Sequence, residues 1–177
     1  MGTEFEKLAL EKLSSLQFEL ERVGGPNDEG RDLQGAWKLP DGLNLPTIVQ
    51  CKRLNKKVGK IKFFSRQKKK KVYISFFEGT SVIRELEGTL TNERTQKIGV
   101  LVSAEGFSSE TISRVNKNKL PMILVTIEKE GVTLFKLNAS AQKLVPKLVV
   151  GSVINKSPLE RKRTVLLLYD NQPLLSN

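Results

Sequence analysis

The sequence has no histidine and a single cysteine, Cys51. Without imidazole, the familiar zinc-hydrolase centres and the Ser-His and Cys-His nucleophile pairs are excluded, and one thiol permits neither an internal disulfide nor a cysteine-based zinc site. Any metal must be held by oxygen ligands, which favours Mg²⁺ or Mn²⁺. No apolar run approaches the roughly 20 residues of a membrane-spanning helix. Met1 falls almost directly before the first helical pattern, which leaves no room here for a signal or transit peptide, and the chain is expected to be soluble. Neither a phosphate-binding glycine loop nor a dinucleotide fingerprint occurs, so a small-molecule nucleotide enzyme has little support.

Basic charge is in surplus. The 177 residues carry a formal charge of +11, which favours an anionic partner, nucleic acid being the commonest. The surplus is uneven: residues 60–79 hold seven Lys or Arg against one Glu, so the rest of the chain carries +5. The length fits one domain. Residues 1–145 are strongly patterned, with 60–79 an atypical basic insert. Residues 146–177 are weakly patterned and rich in Lys, Asn, Pro and Ser, which predicts a loosely held tail with one candidate edge strand over 165–169.

Phe5, Leu8, Ala9, Leu13 and Leu16 recur at helical spacing, with Thr3 as the expected cap and Glu6 as its box partner. Glu6 shares a row with Leu10 and Leu13 and should lean toward the protein body. A strand over 18–23, a glycine-rich turn over 24–30, and strands over 31–38 and 46–52 follow, the last two joined through Pro40-Asp41-Gly42. A helix is predicted over 80–91, with Val82, Ile83, Leu86 and Leu90 inward. A buried strand over 98–103 and a helix capped by Ser108 or Ser109 come next, then strands over 120–127 and 132–137 and a short helix over 139–144. A strand meander followed by alternating helices and strands predicts an α/β fold, a mixed sheet flanked by helices.

The polar residues within this pattern carry the chemistry. Side chains alternate along a strand, so Gln50 and Lys52 leave one face while Val49 and Cys51 leave the other. On the preceding strand Asp32 should share a face with Gln34 and Ala36, with Leu33 and Trp37 opposite. If the two strands pair, Asp32, Gln50 and Lys52 form one polar cluster. A buried Gln50 needs hydrogen-bond partners. Cys51 reads as a small buried hydrophobe and Trp37 as core. Glu85 and Glu87 read as solvent-facing helix charges, or as acids approaching the cluster from the next helix. Glu6, taken alone, is a first-turn acid favoured by the helix dipole. Arg53, Lys56 and Lys57 suit phosphate contact as well as a solvated face.

The motifs Gly2-Thr3-Glu4-Phe5-Glu6, Asp28-Glu29-Gly30-Arg31-Asp32 and Gln50-Cys51-Lys52 resemble the Mrr-type branch of the restriction-endonuclease-like superfamily. GGPNDEGRDLQGAW, VQCK, the Arg84-Glu85-Leu86-Glu87-Gly88-Thr89 helix and Asn118-Lys119-Leu120-Pro121-Met122-Ile123 are more closely similar to the fungal mitochondrial family required for respiratory growth, described as nuclease-like. The resemblance spans roughly residues 2–128. It implies phosphodiester hydrolysis with one or two divalent ions in a mitochondrial protein. Carried over residue by residue, Asp32 would be the main carboxylate ligand, Glu6 a second and Gln50 a third, neutral one. Lys52 would orient or activate the attacking water and offset charge on the phosphate. Gln50 stands where many relatives have a carboxylate, which removes one negative charge and should weaken the metal.

The expected function is therefore a metal-dependent DNA endonuclease, or a Holliday-junction-resolvase-like protein, supporting mitochondrial genome maintenance and respiratory growth. The alternative is a non-catalytic nucleic-acid-binding or scaffold protein that retains the fold. Cutting two strands usually needs two sites, so a homodimer is compatible with the first.

The insert has a different reading. Six Lys, four Phe, two Ile and one Tyr make up thirteen of its twenty residues, all encoded by AT-rich codons. Gly59-Lys60 can be encoded with a splice-donor-like GTAAR and Glu78-Gly79 with a closing AG. Removing residues 60–79 joins Gly59 to Thr80 and restores the family spacing to Arg84. The segment is expected to be a translated intron. Sequencing of the mature transcript should show a dominant message without it; translated messages that retain it would overturn this reading.

Overall fold

The structure is a computed structural model and describes residues 2–23, 30–52, 80–156 and 161–174. Helix α1 (Gly2–Ser14) leads into a meander of β1 (Phe18–Arg22), β2 (Leu33–Lys38) and β3 (Asn44–Lys52). There follow α2 (Thr80–Thr91), β4 (Ile98–Ser103), α3 (Ser109–Lys117), β5 (Met122–Glu128), β6 (Gly131–Leu137) and α4 (Ala139–Leu144). Six strands form one sheet in the order β1-β2-β3-β4-β5-β6. The meander pairs antiparallel, β3–β4 and β4–β5 pair parallel, and β5–β6 is antiparallel again. This is the expected mixed sheet flanked by helices, and no described helix is long and apolar enough to cross a membrane.

Strand alternation sorts the core into two layers. Val49, Val100, Val102, Ile123 and Val125 face the layer that holds Phe5, Ala9 and Leu13 of α1 and Ala141 of α4. Ile48, Leu101, Met122 and Leu124 face Ile83, Leu86 and Leu90 of α2 and Val115 of α3. Because both faces are covered, every residue of β4 is buried, and its sequence reads as a continuous apolar run. Gly99 lets α2 settle closely on β4: a Cβ there would lie 2.7 Å from the Leu90 side chain and 3.1 Å from that of Leu86.

The first layer is anchored by aromatic rings. Trp37 is fully buried, stacks on Phe18 at 4.6 Å, meets Phe135 at 5.7 Å, and donates its indole N–H to the Leu16 carbonyl at 2.9 Å. Asn138 ties the other end together. Its Oδ1 accepts from the Met122 and Ala141 backbone amides, capping α4, while its Nδ2 donates to the carbonyls of Val115, Asn118 and Leu120. Ser108 caps α3 by accepting from the Thr111 amide. Helix α1 begins at Gly2, so Thr3, the expected cap, falls within its bounds.

The weakly patterned end is a hairpin rather than a loose tail. β7 (Leu148–Lys156), β8 (Arg161–Tyr169) and β9 (Gln172–Pro173) make a second, antiparallel sheet. Leu148, Leu167, Tyr169 and Leu174 join the first core layer, whereas Val149, Val153 and Ile154 stay exposed. Only part of the hairpin is covered, so its alternation is incomplete. A polar latch fixes it: the Tyr169 hydroxyl donates to Asp41 Oδ2 at 2.7 Å, and Lys147 Nζ lies 3.3 Å from the same oxygen.

The Tyr169 hydrogen bond holds the Asp41 carboxyl below its ordinary value, with the Lys147 charge adding to it. Burial, then the Asp41 bond and charge, push the Tyr169 hydroxyl up to about 12. The tyrosine contribution is thus complete below its ordinary value of about 10 and is lost as pH rises through about 12. The Asp41 contribution is present above the ordinary carboxylate value and is lost as pH falls through its lowered one. Tyr169→Phe is expected to lower the melting temperature by about 2–4 °C at neutral pH and to flatten the alkaline decline in stability. Circular dichroism melts from neutral pH to pH 12 of both proteins check this.

Candidate functional site

The antiparallel register of β2 and β3 sets Leu33 opposite Val49, which carries Asp32 to the level of Gln50 at the strand ends. Asp32 itself lies just before the strand rather than within it. Its backbone N–H still donates to the Val49 carbonyl at 3.0 Å, while its Oδ2 accepts the Cys51 N–H at 2.6 Å. The carboxylate is therefore fixed on the end of β3 by a charge-assisted bond. Arg31 pins the same segment through an ion pair of 3.1 Å to Glu93, which also holds Lys97 at 2.7 Å.

Gln50 is the unusual residue of this region. It is 0% exposed, and among the described residues neither amide atom has a hydrogen-bond partner. A buried amide without partners costs about 1–3 kcal/mol, so its retention calls for a reason other than stability. It faces the α2 layer with Ile48, as strand parity predicts. Gly30, at φ +75°, sits against it: a Cβ at Gly30 would lie 2.7 Å from Gln50 Nε2 and would collide with Glu85 Oε1. Glycine is needed there both for the left-handed backbone and for the space.

Lys52 leaves β3 on the same side as Gln50, and its Nζ lies 3.8 Å from Glu85 Oε2. The structure thus brings Asp32, Gln50 and Lys52 to one end of two neighbouring strands and adds Glu85 from α2. Glu6 arrives from the other layer. Its carboxylate accepts from Arg22 at 2.6 and 3.1 Å, and its charge bears on Cys51. Burial first, then the Asp32 and Glu6 charges, push the Cys51 thiol well up, with Lys52 opposing. That thiol stays protonated and is no nucleophile. Arg53, Lys56 and Lys57 lie outside the described residues, as does the 60–79 insert.

Glu87, read from sequence as a solvent-facing charge or an approach to the cluster, is a structural link. It accepts from Arg114 Nη2 at 2.8 Å and from Asn118 Nδ2 at 2.5 Å, joining α2 to α3. Glu85, two residues before it, is the acid that reaches the cluster. Its Glu-x-Glu spacing showed that the two point to different flanks, but not which flank meets β3. Among the described residues, no group of three or more Cys, Asp and Glu surrounds a metal-sized space.

These features define an α/β protein whose mixed sheet ends in a polar cluster of one aspartate, one buried amide, one lysine and one helix-borne glutamate. The chain belongs to the family described as Required for respiratory growth protein 7, whose model matches residues 1–150. It is 31% identical over 158 residues to an uncharacterised mitochondrial protein of Schizosaccharomyces pombe, covering 86% of this chain and 56% of that protein. The chain thus spans little more than half of that relative's length. No solved structure matches.

If Gln50 is kept for function, replacing it with an isosteric apolar residue should stabilise the fold. Gln50→Met is expected to raise stability by about 1–3 kcal/mol, read as a rise in the urea midpoint. A lowered midpoint would show that the amide is satisfied in the folded protein.

Proposed function

We propose that this chain is a metal-dependent phosphodiester hydrolase of the restriction-endonuclease-like class, acting on DNA in the mitochondrion. The observation that carries the reading is the meeting of Asp32, the unpartnered Gln50 amide and Lys52 at the ends of β2 and β3. Mitochondrial residence agrees with the family's link to respiratory growth and with the mitochondrial relative. Maintenance of the mitochondrial genome would connect nuclease chemistry to respiratory growth.

The donor set suits a hard divalent cation such as Mg²⁺ or Mn²⁺, since carboxylate and amide oxygens are its preferred ligands. The Asp32 carboxylate is immobilised by the Cys51 N–H at 2.6 Å, and carboxylate oxygens can each accept more than one bond. The Gln50 amide oxygen has no hydrogen-bond partner among the described residues. Such an ion would supply Lewis-acid polarisation of the scissile phosphate. Lys52, about one-third exposed, can place its ammonium against the phosphate oxygens and offset charge developing there. Its pairing with Glu85 keeps the ammonium at the cluster before substrate arrives. Arg53, Lys56 and Lys57 would extend the contact along the phosphate backbone, and a second copy of the chain would serve the second strand.

The test uses purified protein, with and without residues 60–79, on single-stranded, duplex and four-way-junction DNA with Mg²⁺ or Mn²⁺. Cleavage is expected with either ion and should be abolished by Asp32→Asn with the fold intact. Lys52→Ala should lose cleavage far more than binding, because binding is shared among many cations and falls steeply with salt. If neither version cuts any substrate, or if Asp32→Asn cuts like the parent, the hydrolase reading fails. Salt-sensitive binding without cleavage would leave a nucleic-acid-binding scaffold as the function.

A further inference from the structure

We propose that Glu85 is the second carboxylate of the cation site and supplies the charge that Gln50 lacks. The proposal deepens the reading above and rests on it. It differs from the ligand set implied by family resemblance, which takes its second carboxylate from Glu6.

Charge accounting motivates the choice. With Gln at position 50, Asp32 alone faces the prospective ion from the strands, and one carboxylate rarely holds Mg²⁺ or Mn²⁺ against water. Two further acids lie nearby on opposite layers. Glu6 comes from α1, and its carboxylate is engaged by Arg22 through two hydrogen bonds, of 2.6 and 3.1 Å. Glu85 comes from α2 on the Gln50 side. Among the described residues it is paired with Lys52 at 3.8 Å, beyond direct hydrogen-bond distance. That separation holds the two charges in register without consuming the carboxylate's lone pairs.

Geometry brings Glu85 to the amide. Glu85 Oε1 and Gln50 Nε2 both crowd the point where Gly30 lacks a Cβ, so the two side chains share one small space roofed by the Gly30 backbone. Nε2 is the amide atom turned to that space, so the NH₂ can donate to Glu85 while the Gln50 oxygen is left for a cation, which satisfies both orphaned atoms at once. The close seat of α2 on β4 over Gly99 sets the helix at the depth this requires. Asp32 lies two residues beyond Gly30, in the segment that Arg31 clamps to Glu93. The site is thus assembled from the segment leading into β2, from β3 and from α2, with a neutral ligand on β3 and the second charge on the helix.

The experiment is Mn²⁺ titration into the full chain without nucleic acid, read by calorimetry and by the electron paramagnetic resonance of free Mn²⁺. The parent should bind, and Asp32→Asn and Glu85→Gln should each weaken binding at least about tenfold. Glu6→Gln should bind like the parent. The decisive variant is Gln50→Glu combined with Glu85→Gln, which returns the charge to the strand and should restore affinity. Glu85 is 45% exposed, so its substitution leaves the core intact, and melting curves verify this. If Asp32→Asn loses Mn²⁺ while Glu85→Gln keeps it, the Glu85 assignment falls and the metal reading stands. If Glu85→Gln loses Mn²⁺ but the double variant does not recover, Glu85 acts only by placing Lys52, and the proposal is overturned. A parent that binds no Mn²⁺ sinks both.

Discussion

The middle of strand β3 passes between two apolar layers, with Val49 pressed toward α1 and Ile48 toward α2, so a polar side chain at its buried centre has no water to turn to. Everything else in the cluster follows from that confinement. Gln50 is buried because it lies one residue beyond Val49 on a strand sealed by β2 on one side and β4 on the other. Lys52, two residues further, emerges at the sheet end and regains solvent. The same strand therefore offers a desolvated amide and a wetted ammonium within two residues. Electrostatic interactions gain strength in such a setting.

Much of the scaffold was legible because periodicity and burial agreed. The 80–91 helix and the 98–103 strand appear with the bounds their patterns predict, and the 139–144 helix does too. Parity along β3 assigned Gln50 and Lys52 to one side because alternation is a local property of the backbone. Burial of Trp37 likewise followed from its strand position.

What stayed hidden depended on contacts distant in sequence. The rotation of α2 about its axis decides that Glu85 meets Lys52 while Glu87 meets Arg114, and that rotation is set by Leu86 and Leu90 settling over Gly99. The Arg22 partner of Glu6 arises from strand β1 running back beside α1. The terminal hairpin was obscured for another reason. The apolar run 165–169 did mark part of β8, but the strands are covered only in part, leaving Val149 and Ile154 exposed beside buried Leu148, so β7 shows no clear alternation. The Asp41–Tyr169 bond that holds it spans 128 residues of sequence.

That latch also bears on how the molecule would open. Strands β7 and β8 are complete as a ladder of their own, and they join the main body chiefly through one edge of apolar contacts and the Asp41 cluster. A unit with internal hydrogen bonds and a limited docking edge can swing away without melting the six-stranded sheet. Amides inside the hairpin and amides in β4 would then exchange with solvent through different openings, the first sub-global and the second requiring the whole core to part. A chain end tethered in this way gives the protein two separate thresholds of opening.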